Sequence, residues 1–205
     1  MGLISNGTTI FDAGSMASGF GGAMVFIKKL TASSSSDLTF VNGSSNVVLD
    51  STYKEYVFTF NNMQSASTDV ALQVKFRDGG SSYDATKTTT YYYTEHGEGG
   101  QAGNVSYLAS RDEASSTDGQ HLTTNIGRTG SDSASGYLHL FNPSTTTFAK
   151  HFMSKVSNHD TTSPGYAQVI YVTGFCEETA AVDAVRFEMS SGNIAAGDIC
   201  LYGIN

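Results

Sequence analysis

The segment from Asp69 to Gly80 reads DVALQVKFRDGG, and its strict alternation constrains the fold more than any other feature of the chain. Val70, Leu72, Val74 and Phe76 fall on one face, and Ala71, Gln73, Lys75 and Arg77 on the other. Successive side chains point to opposite faces of an extended strand, so a sustained period of two specifies a half-buried strand with one wet face. KEYVFTFNNM repeats the pattern, with Tyr56, Phe58 and Phe60 opposed to Val57 and Thr59.

Further strands are read at AMVFIKKLTA, TKTTTYYYTE, GNVSYLAS, GYLHLFNP, YAQVIYVTGF, AVRFEMS and GDICLYGI. SSSSD reads as a turn, and LTFVNGSSNVVLD as strand, turn and strand around Asn42–Gly43. No window sustains a helical period. Turns are plentiful, because the chain carries 22 Gly with abundant Ser, Thr and Asn, and these residues supply turn conformations. Many short strands punctuated this way predict an all-β fold, an antiparallel β-sandwich of jelly-roll-like form. At 205 residues one such domain buries roughly 70% of its unfolded surface and needs no covalent staple.

Residues 1–22 differ from the rest. They form a Gly/Ser-rich arm with short apolar anchors at Leu3, Ile4, Ile10, Phe11 and Phe20, ahead of the sandwich domain at 23–205. An arm of this composition orders only when clamped against its own domain or a partner, so it reads as a docking and assembly segment. The closing AVDAVRFEMSSGNIAAGDICLYGIN reads as two strands about a Ser-Gly-Asn turn. Val185, Phe187 and Met189 share one face, and Ile199 and Leu201 share another. A chain that stops on such a strand is expected to end inside its sheet, which leaves attachment to the N-terminus.

Charge narrows the partners. The net charge is −8 and the only basic cluster is Lys28–Lys29, so a phosphate backbone would be repelled and nucleic acid is excluded as a partner. No apolar run approaches the roughly 18 residues that span a bilayer, and MGLISNGTTIFDAGSM lacks the basic and apolar regions of a signal peptide. No membrane partner is expected. Cys176 and Cys200 are too few for a disulfide framework and match no zinc spacing; they read as small apolar residues.

Candidate chemistry is sparse. In FRDGGSSYD, the positions of Asp78, Gly80, Ser82 and Tyr83 resemble the Asp-box hairpin of sialidases and other β-proteins, although Phe76 stands at the leading Ser and Tyr83 at the usual Trp. An Asp accepting backbone N–H bonds while Gly takes positive φ makes a structural turn; the alternative is a calcium site on Asp78 and Asp84, short of oxygen ligands. YYYTEHGEGG gathers Tyr91, Tyr92, Tyr93 and His96 with Glu95 and Glu98. Either the tyrosines pack between sheets, or they and His96 contact glycan, or the two glutamates act as a glycosidase pair. His96, His121, His139, His151 and His159 sit at no metal-ligand spacing, and no metal or cofactor is expected. Asn6, Asn42 and Asn104 head sequons that matter only in a secretory context.

Four stretches taken together resemble the virion surface proteins of tailed bacteriophages, marine ones especially: GLISNGTTIFDAGSM, LTASSSSDLTFVNGSSNVVLDSTYKEYVFTFNNM, LFNPSTTTFAKHF and AVDAVRFEMSSGNIAAGDICLYGIN. That resemblance spans most of the chain, with a gap at residues 84–135. It implies a jelly-roll or sandwich module of the tail-fibre, spike or decoration type, non-enzymatic, located on the particle, and docked to other virion proteins by its arm. It also implies reduced thiols and a homotrimer. The alternative within the same class is a fibre-tip module recognising host surface glycan. On this picture Tyr91–Tyr93, His96 and residues 110–135 form outward loops at one end.

Overall fold

The computed structural model describes residues 3–6, 8–12, 15–16, 22–101, 103–127, 132–160 and 165–205. In the arm, β1 (Leu3–Ser5), β2 (Thr8–Asp12) and β3 (Ser15–Met16) make a small antiparallel meander hydrogen-bonded to neither larger sheet. Leu3 pairs with Phe11 in this meander, Ile10 lies on β2, and Ile4 is 60% exposed. Phe20 lies outside the described residues.

The remaining strands are β4 (Met24–Ser35), β5 (Asp37–Val41), β6 (Glu55–Ser65), β7 (Leu72–Arg77), β8 (Lys87–Gly97), β9 (Asn104–Tyr107), β10 (Gln120–His121), β11 (Ala134–Phe141), β12 (Lys150–Asp160), β13 (Tyr166–Cys176), β14 (Ala184–Met189) and β15 (Ile194–Ile204). They build two antiparallel sheets packed as a β-sandwich, one ordered β4-β15-β6-β11-β12-β13-β8-β9 and the other β10-β7-β14-β5. From β4 to β8 the chain changes sheet at every step, so each buried face is laid against the next almost as it is made. A 3-10 turn, Ala109–Arg111, follows β9.

The alternating segments land where their periodicity places them. Leu72, Val74 and Phe76 of β7, Tyr56, Phe58 and Phe60 of β6, and Val185, Phe187 and Met189 of β14 all face the core. Phe187 is the hub: its ring centroid lies 5.3 Å from Phe58, 5.2 Å from Phe60 and 6.3 Å from Phe40. Each such side chain contributes roughly 1.5–3 kcal/mol by leaving water, and edge-to-face rings add to that.

Four expectations change. β12 was not anticipated, because its inward set (Lys150, Phe152, Ser154, Val156, Asn158 and Asp160) is mostly polar and its apolar residues do not keep one parity. The SSSSD turn shrinks to Ser36, since β4 continues through Ser33–Ser35 with Ser34 at φ 54°. Residues 47–49 form no ladder strand, although Val47 and Leu49 are buried; Asn42 Oδ1 accepts the Leu49 N–H at 2.9 Å, as a neighbouring strand would. The Ser-Gly-Asn turn joins strands of different sheets, since β14 pairs with β5 and β7 while β15 lies between β4 and β6. On β15 a register shift falls at Gly197, whose φ of 121° brings the backbone so near β6 that a Cβ would stand 2.8 Å from Asn62 O.

Candidate functional site

Strand alternation disperses the tyrosine run. Tyr91, Tyr92 and Tyr93 lie in β8 and not in a loop, so neighbours in sequence point to opposite faces. Tyr91 points into the core and is 0% exposed; its hydroxyl has no hydrogen-bond partner and burial pushes its pKa well up. Tyr92 points outward and stacks on Tyr171 of β13, with centroids 5.0 Å apart and planes 9° from parallel. Tyr93 points inward again but lies half-buried near the sandwich end. His96 is exposed and faces outward, opposite Ala167. The four predicted glycan contacts are therefore not brought together: Tyr92 and His96 share a face with each other and not with Tyr91 or Tyr93.

The outward face of the large sheet carries an aromatic band that was not legible as a group. One cross-strand row runs Lys29, Cys200, Thr59, Tyr137, Lys155, Tyr171, Tyr92 and Tyr107. The next brings Phe26, Tyr202, Val57, His139 and Met153 into line. Phe26, Tyr92, Tyr107, Tyr137 and Met153 are all exposed. Lys155 Nζ lies 5.4 Å from the Tyr171 ring centre, a cation–π distance. His139 Nδ1 touches Glu55 Oε1 at the rim.

Of residues 110–135, expected as outward loops, 110–126 instead continue from Leu108 as a strap that closes one side of the sandwich, and Ala134 and Ser135 begin β11. Leu108 N–H bonds Tyr91 O at 3.1 Å and Lys87 N–H bonds Ser116 O at 2.9 Å on the β8 side. Leu122 N–H bonds Leu72 O and Ile126 N–H bonds Val70 O, each at 2.8 Å, on the β7 side. Leu122 and Ile126 are consequently core residues.

Where the strap meets the ends of β8, β12 and β13, a polar cleft of about 340 Å³ opens between the strap and the large sheet. Glu95, Gln168 and Asp160 come from the strands, Arg111 and Thr124 from the strap, and Tyr93 and Tyr166 lie among them. Gln168 Nε2 donates to Glu95 Oε2 at 3.0 Å, which turns Gln168 Oε1 toward the Thr124 hydroxyl and Asn158 Nδ2. Asn158 Nδ2 also donates to Thr124 Oγ1 at 2.7 Å, and its Oδ1 is left buried without a partner. Arg111 Nη1 contacts the ring of His121, whose pKa is pushed down to about 4 by burial and then by the guanidinium.

The two glutamates of YYYTEHGEGG diverge. Glu95 faces the cleft, whereas Glu98 Oε1 lies 3.2 Å from His159 Nε2 on the other side of the sheet, with Asp132 Oδ1 at 3.1 Å from His159 Nδ1. They do not flank a common space. At the predicted turn, Gly79 and Gly80 have φ of 118° and 65°, and Ser82 is exposed beside them. Charge pairing anchors that turn: Arg77 makes two bonds to Asp183, at 2.7 and 3.1 Å, and Arg186 lies 3.8 Å over the Tyr83 ring. Burial lowers the Lys150 pKa, and the charge of nearby Asp78 only partly opposes it.

A second missed constellation is a row of Lys150, Cys176 and Lys87 on adjacent strands, all three buried. Lys150 Nζ donates to Glu178 O at 2.9 Å and Lys87 Nζ to Ser116 O at 3.4 Å. Burial lowers both ammonium pKa values and raises the Cys176 thiol to about 12. Cys176 and Cys200 are both free. Among the described residues no three His, Cys, Asp or Glu side chains converge as a metal site, and no helix is long and apolar enough to cross a membrane.

Compared with models of known protein families, with curated proteins and with solved structures, the chain matches none of them.

Proposed function

We propose that this protein is a non-enzymatic structural component displayed on the surface of a tailed-phage virion, docked through its N-terminal arm and packed against neighbouring subunits through the outer face of its large sheet. The observation that carries this reading is the aromatic band. An eight-stranded sheet covered on one side only leaves Phe26, Tyr92, Tyr107, Tyr137 and Met153 on its open side. Exposed apolar area of this kind marks an interaction surface. Support also comes from the resemblance to virion surface proteins over most of the chain, and from an arm whose described strands pair with neither sheet and leave Ile4 exposed. A homotrimer is the assembly this reading expects, with cyclic symmetry placing the same face of each copy in equivalent contacts.

The test is a copy count per particle, by quantitative mass spectrometry of purified virions, with imaging of labelled particles to locate the protein. Many copies spread over the head mean decoration; a few trimers at the tail mean a spike or fibre component. Absence from purified particles overturns the reading.

A further inference from the structure

The cleft between the strap and the strand ends has features that a contact surface does not need. It is an open cleft of about 340 Å³, within the roughly 300–1,000 Å³ of small-molecule sites. Its wall is preorganised, because the Glu95 carboxylate fixes the Gln168 amide, which in turn fixes Asn158. Gln168 and Asn158 are 4% and 2% exposed, so their order is set by the protein and not by solvent. That order strands one acceptor, Asn158 Oδ1, behind the cleft wall.

The groups facing the space sort by chemistry. Glu95 and Asp160 accept, Arg111 donates, and the Gln168 amide does both. Tyr93 and Tyr166 bring rings with polar tips. Alternating acceptors and donors around two ring faces suit a compact ligand bearing several hydroxyls. Two carboxylates against one guanidinium, with His121 uncharged at neutral pH, disfavour an anionic ligand.

We propose that this cleft binds a single neutral sugar residue, its hydroxyls paired with Glu95 on one wall and Arg111 on the other. The site lies inside the sandwich end and not on the aromatic band, and it does not depend on where the protein is mounted.

The experiment uses the purified full chain and the methyl glycosides of glucose, galactose, mannose and N-acetylglucosamine, with methyl glucuronide as the anionic probe. Binding is followed by saturation-transfer and chemical-shift titration. The expected result is saturable millimolar binding of at least one neutral glycoside. It weakens by at least about tenfold in Glu95→Gln, the effect of one charge-assisted hydrogen bond, and is unchanged in Tyr92→Ala on the opposite face of the same strand. Should Glu95→Gln lose its fold, Arg111→Lys keeps the charge but removes the planar fork, and the same weakening is expected. No saturable binding by any neutral probe overturns the proposal. So does tighter binding of the glucuronide, or binding abolished by Tyr92→Ala and indifferent to the cleft variants, which would move the sugar to the outer face.

Discussion

Gln168 donates to Glu95 across the β13–β8 ladder at 3.0 Å, and this one bond orients the Gln168 amide and, through it, Asn158. Reversing its donor should therefore cost more than a surface substitution. Gln168→Glu sets two carboxylates against each other and removes the hydrogen that Glu95 accepts. The expected loss is about 1–3 kcal/mol near neutral pH, measured by urea unfolding. A change below about 0.5 kcal/mol would show that the amide chain is not held by Glu95.

The core between the sheets and the outer face of the large sheet should answer differently to truncation. Phe187→Ala removes the hub ring between the sheets, where the surroundings cannot collapse, and should cost about 3–5 kcal/mol. Tyr92→Ala, on the open face, should cost under about 1 kcal/mol in the isolated chain. Its effect should appear in assembly, as weaker self-association in light scattering or lower occupancy on particles. Equal losses of stability for the two would contradict a sheet with one covered and one open side.

These contrasts show how much of the molecule its sequence discloses. Sandwich class and the core faces of β6, β7 and β14 were legible because apolar residues keep one parity over Tyr56–Phe60, Leu72–Phe76 and Val185–Met189. β12 was not, because a strand that buries Lys150, Ser154 and Asn158 carries no hydrophobic alternation to read. The tyrosine run misled for the opposite reason. Three like residues suggest one patch, but a strand assigns Tyr91 to the core, Tyr92 to the outside and Tyr93 to the cleft. Bonding Gln168 to Glu95 and bringing Arg111 to the same cleft depend on strand register and on the course of the strap, neither of which any local pattern encodes. The aromatic band is likewise assembled from residues on several strands.

His121 supplies an acid-sensitive step. Burial first, and Arg111 second, hold its imidazole neutral down to about pH 4, whereas the unfolded chain takes up the proton near pH 6.5. Between those values the unfolded state binds more protons, so stability falls as pH is lowered through this window. The ceiling on this contribution is on the order of 3 kcal/mol. Urea midpoints at about pH 7 and about pH 4.5 should differ less in His121→Gln than in the parent chain. An identical pH dependence in the two proteins would remove His121 from the account.

The buried row of Lys87, Cys176 and Lys150 makes the last test, and Lys87 carries the same sign with pH as His121 but in the alkaline range. Burial lowers the Lys87 pKa below the usual 10.5, so above its folded pKa the native state has released a proton that the unfolded chain still holds. Stability attributable to Lys87 therefore rises with pH toward 10.5 and is penalised at neutral pH, where the ammonium stays charged beneath the strap. Lys87→Met removes that penalty together with a long 3.4 Å bond to Ser116 O, and fills much the same volume. The variant should be at least as stable as the parent near pH 7, with the gap between them narrowing as pH approaches about 10. Cys176 loses stability in the same alkaline range, since its thiol is held to about 12 from an ordinary 9.0, but it does so in both proteins and largely cancels from the difference. A gap that widens with pH, or a variant destabilised by more than about 2 kcal/mol, would mean that the charged ammonium is held by stronger partners than one backbone carbonyl.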